Sequence, residues 1–454
     1  MSLRLLNIAK TGLFAHRGAL EIVGHNVANV EAPGYVRQRP TLSTLPGAIT
    51  GGAGGGVDLV GIGMLRDEML ATQLRHERGA SGQDAALRAA LLRVEQVFTD
   101  VTEGGLASRI EEMFDAWSDL GLDPTGAATR SQVVERSVLV AGTISDRWNA
   151  IDSQRIRLDH RLRDMVASAN TLAREIALLN TKIGAADATS NRNDLVIQRD
   201  GLVSELAILC GAEMITQDNG SVDVLIGGRR FVEHDRVTEL ALVNDPSHPG
   251  MHLVALGDEV SPHGLRGEIA GSLQARDDFL PKYLERLDTL ARGLADQINA
   301  QHTAGLDRNG NSAPELFQYD ATRPAATLAV RQAIIDDLAL IGASQSTTVE
   351  GDGTNALAID NLRNSRMLSG GTATLSQFAA ELISTIGIDA AASQVRLDSR
   401  TLLVQSLQDA YMNQSGVSLD EEALELIRYQ QAYAASARLM STALEMMDLA
   451  LQLR

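Results

Sequence analysis

The two ends of this chain carry the same repeat, and that repeat limits what the 454 residues can form. At the front, Leu6, Leu13, Leu20 and Val27 recur every seven residues. At the back, Leu419, Leu426, Tyr433, Met440 and Met447 do the same, with Ala423, Ala437, Leu444 and Leu451 four residues after most of them. Spacing of seven sustained over several turns lays one narrow apolar seam along a helix, which is what two helices need in order to coil about each other. One such helix at each end predicts that the ends pair and that the intervening chain is looped out as a head.

Local signals bound both helices. Pro33 fixes its own φ and pushes Ala32 out of the α region, so the first helix should stop near Val30. Gly34 then supplies a turn, and the Thr-, Ser-, Pro- and Gly-rich stretch up to Gly56 reads as extended. The last helix has Ser418 as a cap and places Asp420, Glu421 and Glu422 on its positive end; Ser418 with Glu421 also fits a capping box.

Between the ends the pattern is mainly α. Leu158, Leu162, Met165, Ala169, Leu172, Ile176, Leu179 and Ile183 alternate four and three apart, with charged residues around them. A helix from Thr125 to Ile183 would span roughly 90 Å. A second rod is expected from Thr374 to Tyr411, with Leu397, Val404 and Tyr411 seven apart, and a third from Glu268 to His302. Residues 211–265 differ: Val222, Val224 and Ile226 alternate, Asn219-Gly220 and Gly227-Gly228 are turn signals, and breakers follow at Asp245-Pro246 and His248-Pro249-Gly250. This region reads as a small β-rich insert, and 303–355 as loops with short elements. The expected division is a terminal polymerisation domain of 1–56 plus 412–454, a long-helix shaft of 57–210 plus 266–411, and an outer insert of 211–265.

Composition closes off several classes of function. A net charge of −18 argues against nucleic acid as a partner. No apolar run reaches the length of a membrane span, so no membrane insertion is expected. The N-terminus lacks a signal-peptide pattern, since Arg4, Asn7 and Lys10 interrupt its apolar residues. The single cysteine, Cys210, follows Ile208 and Leu209 and reads as a buried apolar thiol.

The search for chemistry returns no catalytic, cofactor or metal constellation. The glycine-dense GGAGGGVDLVGIG from Gly51 to Gly63 has neither the spacing nor the Gly-Lys-Ser/Thr of a phosphate loop and precedes its strand instead of following it. Pro249 and Gly250 forbid the helix that would place His248 and His252 on one face, so they read as solvated loop histidines. Asp307-Arg308-Asn309-Gly310-Asn311 starts like a calcium loop, but Ser312 and Gln318 stand where Gly and Glu are required; an Asn-Gly turn is expected. No nucleophile elbow, HExxH or CxxC occurs.

Both ends resemble the bacterial flagellar axial proteins, the rod, hook and hook-associated family. The carriers are GHNVAN (Gly24–Asn29) and APGYVRQ (Ala32–Gln38) at the front, then GVSLDEE (Gly416–Glu422) and RYQQAYAASARLMSTA (Arg428–Ala443) at the back. Asn26, Asn29, Pro33, Gly34, Tyr35 and Arg37 carry the first signature; Asp420, Glu421, Gln430, Gln431 and Tyr433 carry the second. The run NDLVIQRDGLVSELA (Asn193–Ala207) is similar to a segment of the hook-filament junction branch. The alternative placement is a hook or distal rod protein, whose members lack that run and the long 125–183 helix.

The resemblance implies a structural adaptor that polymerises at the junction and is not an enzyme. It implies self-association together with the hook protein and a second junction protein. It further implies a cytoplasmic export chaperone at the C-terminal helix, and type III export to the flagellum without a cleaved signal peptide. The two seams, completed by Leu444 and Leu451, would be the assembly surface, frayed in a lone subunit because an exposed stripe does not offset its ordering entropy. A slim head is also expected, because few residues separate the third rod from the last. A ligand-binding or enzymatic role for the insert is the reading from a different class.

Overall fold

The computed structural model describes every residue except 1, 33, 47–53, 99–104, 187–191, 249, 261–263, 348–350 and 453–454. Pro33, Pro249, His263 and the first glycines of the Gly51–Gly63 run therefore lie outside the described residues. The chain begins with helix α1 (Ser2–Ala28), followed by strands β1 (Gln38–Leu45) and β2 (Gly56–Met64). Four helices come next: α2 (Glu68–Phe98), α3 (Leu106–Leu122), α4 (Ala127–Ala185) and α5 (Arg192–Cys210). The α4 rod has 59 residues, close to the expected bounds, and all of its seam is buried except half-buried Leu172.

The β insert lies where expected. Strands β3 (Glu213–Thr216), β4 (Val222–Ile226), β5 (Arg229–Glu233) and β6 (Arg236–Val237) form one antiparallel sheet in sequence order. Strands β7 (Leu240–Asn244), β8 (His252–Leu256) and β9 (Glu259–Val260) form another. Gly227 and Gly228 both have positive φ, 57° and 81°, which is what a two-residue hairpin between β4 and β5 requires.

Two buried asparagines on α4 hold the two sheets. Asn170 exchanges hydrogen bonds with the backbone of Leu240, donating at 2.9 Å and accepting at 2.8 Å. Asn180 does the same with Val222 and donates a further bond to the His234 carbonyl. Edge backbone groups that would be buried without partners are thereby satisfied.

The third rod is α6 (Gly267–Gln274), a π turn over Ala275–Phe279, and α7 (Leu280–Ala304). Small elements follow: β10 (Phe317–Gln318), α8 (Pro324–Thr327), β11 (Ala329–Val330), α9 (Gln332–Asp336) and α10 (Thr354–Asn361). The chain ends with α11 (Leu375–Ser415) and α12 (Leu419–Gln452).

One large core packs Phe114 and Trp117 of α3, Ile144 of α4, Leu287 and Leu294 of α7, and Phe378 and Leu382 of α11. A second joins Leu162, Ala169 and Ile176 of α4 to Val203 and Leu206 of α5 and to Val222, Phe231 and Val254 of the insert. Beyond Ser393, α11 leaves the core and runs beside α2. Leu397, Val404 and Tyr411 are half-buried there, and Arg400 pairs with Glu77 at 2.7 Å and Asp84 at 3.3 Å.

Some expectations hold and others are refined. The extended stretch after α1 is one arm of a hairpin, with Gln38 opposite Met64 and Leu45 opposite Gly56. A Cβ at Gly56 would lie 2.0 Å from Thr11 Oγ1, so β2 is pressed onto α1, and the boundary drawn at 56 and 57 cuts through this hairpin. His248 and His252 face different carboxylates, Asp245 and Asp159, each at 2.8 Å. In the Asp307 loop, Asp307 Oδ1 accepts the N–H groups of Asn309 and Asn311, both at 2.8 Å, and Gly310 takes φ 82°; this is the Asn-Gly turn.

Candidate assembly site at the paired chain ends

Helices α1 and α12 lie side by side, but the line they bury is not the apolar one read from the sequence. On α1 the buried residues are Ala9, Gly12, Ala15, Ala19, Ile22, Val23 and Asn26; Leu6, Leu13 and Leu20 are half-buried flanks, and Val27 is exposed. On α12 the buried residues Glu422, Tyr429 and Ala443 fall on one seven-residue register, with Ser436 half-buried between them. Leu426, Met440 and Met447 flank that line, while Leu419, Tyr433, Leu444 and Leu451 are exposed.

The physical reason is close approach. A Cβ on Gly12 would meet Ser436 Oγ at 2.8 Å, so small side chains, not leucines, sit where the backbones come nearest. Seven-residue spacing located one row of each helix, and the deeper row escaped because small and polar residues (Ala, Gly, Ser, Asn, Glu) interrupt its few large apolar ones.

A buried polar cluster closes the open end of this pair. Gly34, at φ 76°, turns the chain so that Tyr35, Arg37 and Gln38 come back onto α1. Tyr35 donates its hydroxyl to Asn26 Oδ1 at 2.9 Å, and His25 Nδ1 lies 2.9 Å from the same oxygen of Tyr35. Asn26 Nδ2 donates to the Gln38 carbonyl at 2.8 Å and to Glu422 Oε2 at 3.0 Å, and Asn26 Oδ1 also accepts the Gln38 N–H at 2.9 Å.

Arg37 donates Nε to Glu422 Oε1 at 2.6 Å, and its Nη1 to Glu421. Its backbone N–H reaches the Ser415 carbonyl at 3.0 Å, which ties the turn to the end of α11. Gln38 Nε2 donates to Asp194 on α5 at 3.1 Å. One cluster thus joins both chain ends to the shaft.

The electrostatics suit permanence. Burial opposes the Arg37 charge, but hydrogen bonds and charge from Glu421 and Glu422 outweigh it and hold the guanidinium above its ordinary range. Burial, then the charges of Asp194 and Glu422, push the Tyr35 hydroxyl up, so it stays a neutral donor.

Of the signature residues, Asn26, Tyr35, Arg37 and Glu421 meet in this cluster. Asn29 caps locally by donating to the His25 carbonyl at 2.9 Å. Asp420, Gln430 and Gln431 point to solvent, as does Tyr433. The sequence reading missed Gln38, Asp194, Tyr429 and, above all, Glu422, a carboxylate only 1 % exposed. The available signal was a polar residue beside each seam: Asn26, two residues before the end of α1, and Glu422, three residues after Leu419.

Two chain ends joined in one coil by a buried ion pair and tied by hydrogen bonds to a long helical shaft define a structural axial subunit. Residues 91–317 match the family model described as the flagellar hook-associated protein FlgK helical domain, so the chain belongs to the FlgK family. Residues 408–453 match the model of the flagellar basal body rod FlgEFG protein C-terminal region.

The flagellar hook-associated protein 1 of Salmonella typhimurium is 25% identical, the match covering 99% of this chain and 100% of that one. The Bacillus subtilis protein of that name is also 25% identical, over 98% of this chain and 96% of its own. The Escherichia coli one is 24% identical, over 99% and 100%. The Salmonella alignment runs over 555 positions, more than the 454 residues here, so that relative has segments this chain lacks. The solved flagellar hook junction protein FlgK of Burkholderia pseudomallei superposes with a TM-score of 0.68 at 17% identity, covering 76% of this chain and all of that one. It supports the fold.

Proposed function

We propose that this flagellar protein works as the structural adaptor at the hook-filament junction, polymerising there so that filament can be built on the hook. The carrying observation is the Arg37–Glu422–Asn26 cluster, which makes one body of the two chain ends while the outer face of α12 stays apolar and uncovered at Leu424, Ile427, Leu444 and Leu449. A helix that has already found its partner and still exposes such a face needs neighbours to cover it.

Assembly with other flagellar axial proteins follows from the family. The finer partners are our reading: further copies of this chain laterally, the hook protein below and a second junction protein above. Before assembly, we infer export through the flagellar type III apparatus without a cleaved leader, with a cytoplasmic chaperone shielding the exposed face of α12. We take 1–64 with 412–454 as the polymerisation unit, moving the first boundary so that the β1–β2 hairpin stays whole. The 211–265 insert is then an outer domain, and the relatives give it no enzymatic role.

The test is a strain deleted for this gene. Electron microscopy of its cells, with an assay for flagellin in the medium, should show finished hooks, no filaments and spilled monomeric flagellin. Missing or malformed hooks would move the subunit down to the rod or hook. Normal motile filaments would sink the junction reading.

A further inference from the structure

A cavity of about 360 Å³ opens where the turn after α1 meets the shaft, between α2, α5 and α11. Its walls include Gly34, Arg66, Arg75, Arg78, Asp200 and Gly201. Three arginines reach one small space, and they are not equally satisfied. Arg66 is paired with Asp200 and Glu68, and Asp200 is also engaged by Arg199 at 2.9 Å. Arg75, only 6 % exposed, donates to the neutral Thr72 Oγ1 at 2.9 Å, and Arg78 to the neutral amide of Gln408. Among the described residues, no carboxylate lies within ion-pair distance of either. Glu205 lines the rim but points to solvent.

A buried cation with no carboxylate at ion-pair distance is costly, and the more distant charges of Asp200 and Glu68 offset that only in part for Arg75. Burial accordingly pulls both the Arg75 and the Arg78 guanidinium below their ordinary range. The space is open at the α5 side. Gly201 sits in the middle of α5, where glycine costs about 1 kcal/mol relative to alanine, yet a Cβ there would touch nothing within 4 Å. Gly201 is exposed, so this side of the cavity faces solvent.

We propose that this cavity is a binding site for an oxyanion, held by Arg75 and Arg78 between the terminal unit and the shaft. The bound oxygens place negative charge directly on the two guanidinium groups and draw α2, α5 and α11 together beside the Gly34 turn. A phosphate-like ion free in solution and a carboxylate carried by a second copy share this chemistry, and two arms separate them.

In the first arm, dilute full-length protein is titrated with inorganic phosphate against chloride at matched ionic strength. A saturable rise in Tm of roughly 2 °C is expected at concentrations well above Kd. The response should weaken at least tenfold in Arg75→Met and persist in Arg157→Met, on the exposed face of α4. In the second arm, sedimentation of concentrated protein in phosphate-free buffer follows self-association. A response in the first arm assigns the site to a free anion. None there, with self-association weakened tenfold by Arg75→Met, assigns it to a neighbour's carboxylate.

Arg75→Met should unfold no earlier than wild type in phosphate-free buffer. A fall of several degrees would mean that the chain already satisfies Arg75, and the proposal fails. It fails equally if Arg75→Met matches wild type in both arms.

Discussion

Arg37 and Glu422 lie 385 residues apart in the chain and form a 2.6 Å charge-assisted hydrogen bond, with side chains 5 % and 1 % exposed. Few single contacts could do more to make two chain ends one unit, because both groups are buried and each would lose its closest charged partner without the other.

Removing the carboxylate tests that dependence. Glu422→Ala leaves Arg37 with the more exposed Glu421 and strips Asn26 of one acceptor, at a cost of roughly 3 kcal/mol. Hydrogen exchange should show protection lost along α1 and α12 and kept along α4. Arg37→Lys should recover little, because a single ammonium cannot reproduce the fork that reaches both glutamates. Unchanged protection of α1 in Glu422→Ala would contradict the locking role.

The Gly12–Ser436 approach predicts a size threshold. Gly12→Ala asks only a hydroxyl to rotate away and gains helix propensity of up to about 1 kcal/mol, so pairing should survive. Gly12→Leu must part the helices. Circular dichroism and an assembly assay should find terminal helicity and polymerisation lost in the leucine variant and retained in the alanine one.

The uncovered face of α12 separates folding from assembly. Leu424→Lys combined with Leu449→Lys alters only exposed positions, so stability should move by no more than about 0.5 kcal/mol per site. Filament-bearing cells should nevertheless be lost on complementation with this variant. Full motility would mean that this face is not what neighbours cover.

Asn180 of α4 satisfies three backbone groups of the insert through one amide. Asn180→Leu leaves them buried and unpaired, a loss of roughly 2–4 kcal/mol. Denaturant unfolding should show it, with the insert's amides exchanging first.

Stability should also fall in acid at a definable window. His302 is held neutral: burial lowers its pKa to about 4, and Nε2 accepts the Gly342 N–H at 2.9 Å while Nδ1 faces the Pro314 carbonyl. A folded pKa below the unfolded value near 6.5 means that the unfolded chain takes up the proton first. This contribution is complete above pH 6.5 and is lost as pH falls from there to about 4, in total about 3 kcal/mol. Urea midpoints between pH 7 and pH 4 should fall, and less steeply in His302→Phe.

Much of the architecture was legible without coordinates. The seam from Leu158 to Ile183 gave the long rod because a four-three alternation of apolar residues admits almost no other backbone. Asn219-Gly220 and Gly227-Gly228 located the insert's turns because only such residues take positive φ cheaply. The signature residues were likewise read as a set, and Asn26, Tyr35, Arg37 and Glu421 do meet.

The packing of the ends was not legible. Periodicity reports which helix faces are apolar, not which face lies nearest a neighbour, and at the α1–α12 contact the nearest face is the one with the smallest side chains. That Leu444 and Leu451 point outward, that Glu422 turns inward, and that Arg75 is buried without a carboxylate depend on where distant segments approach. The sequence by itself determined the elements, their order and the family, since these rest on local spacing and turn chemistry. Only the tertiary structure decided which row of each seam is buried and which charges are paired, because burial and Coulomb interactions depend on distances between residues hundreds of positions apart.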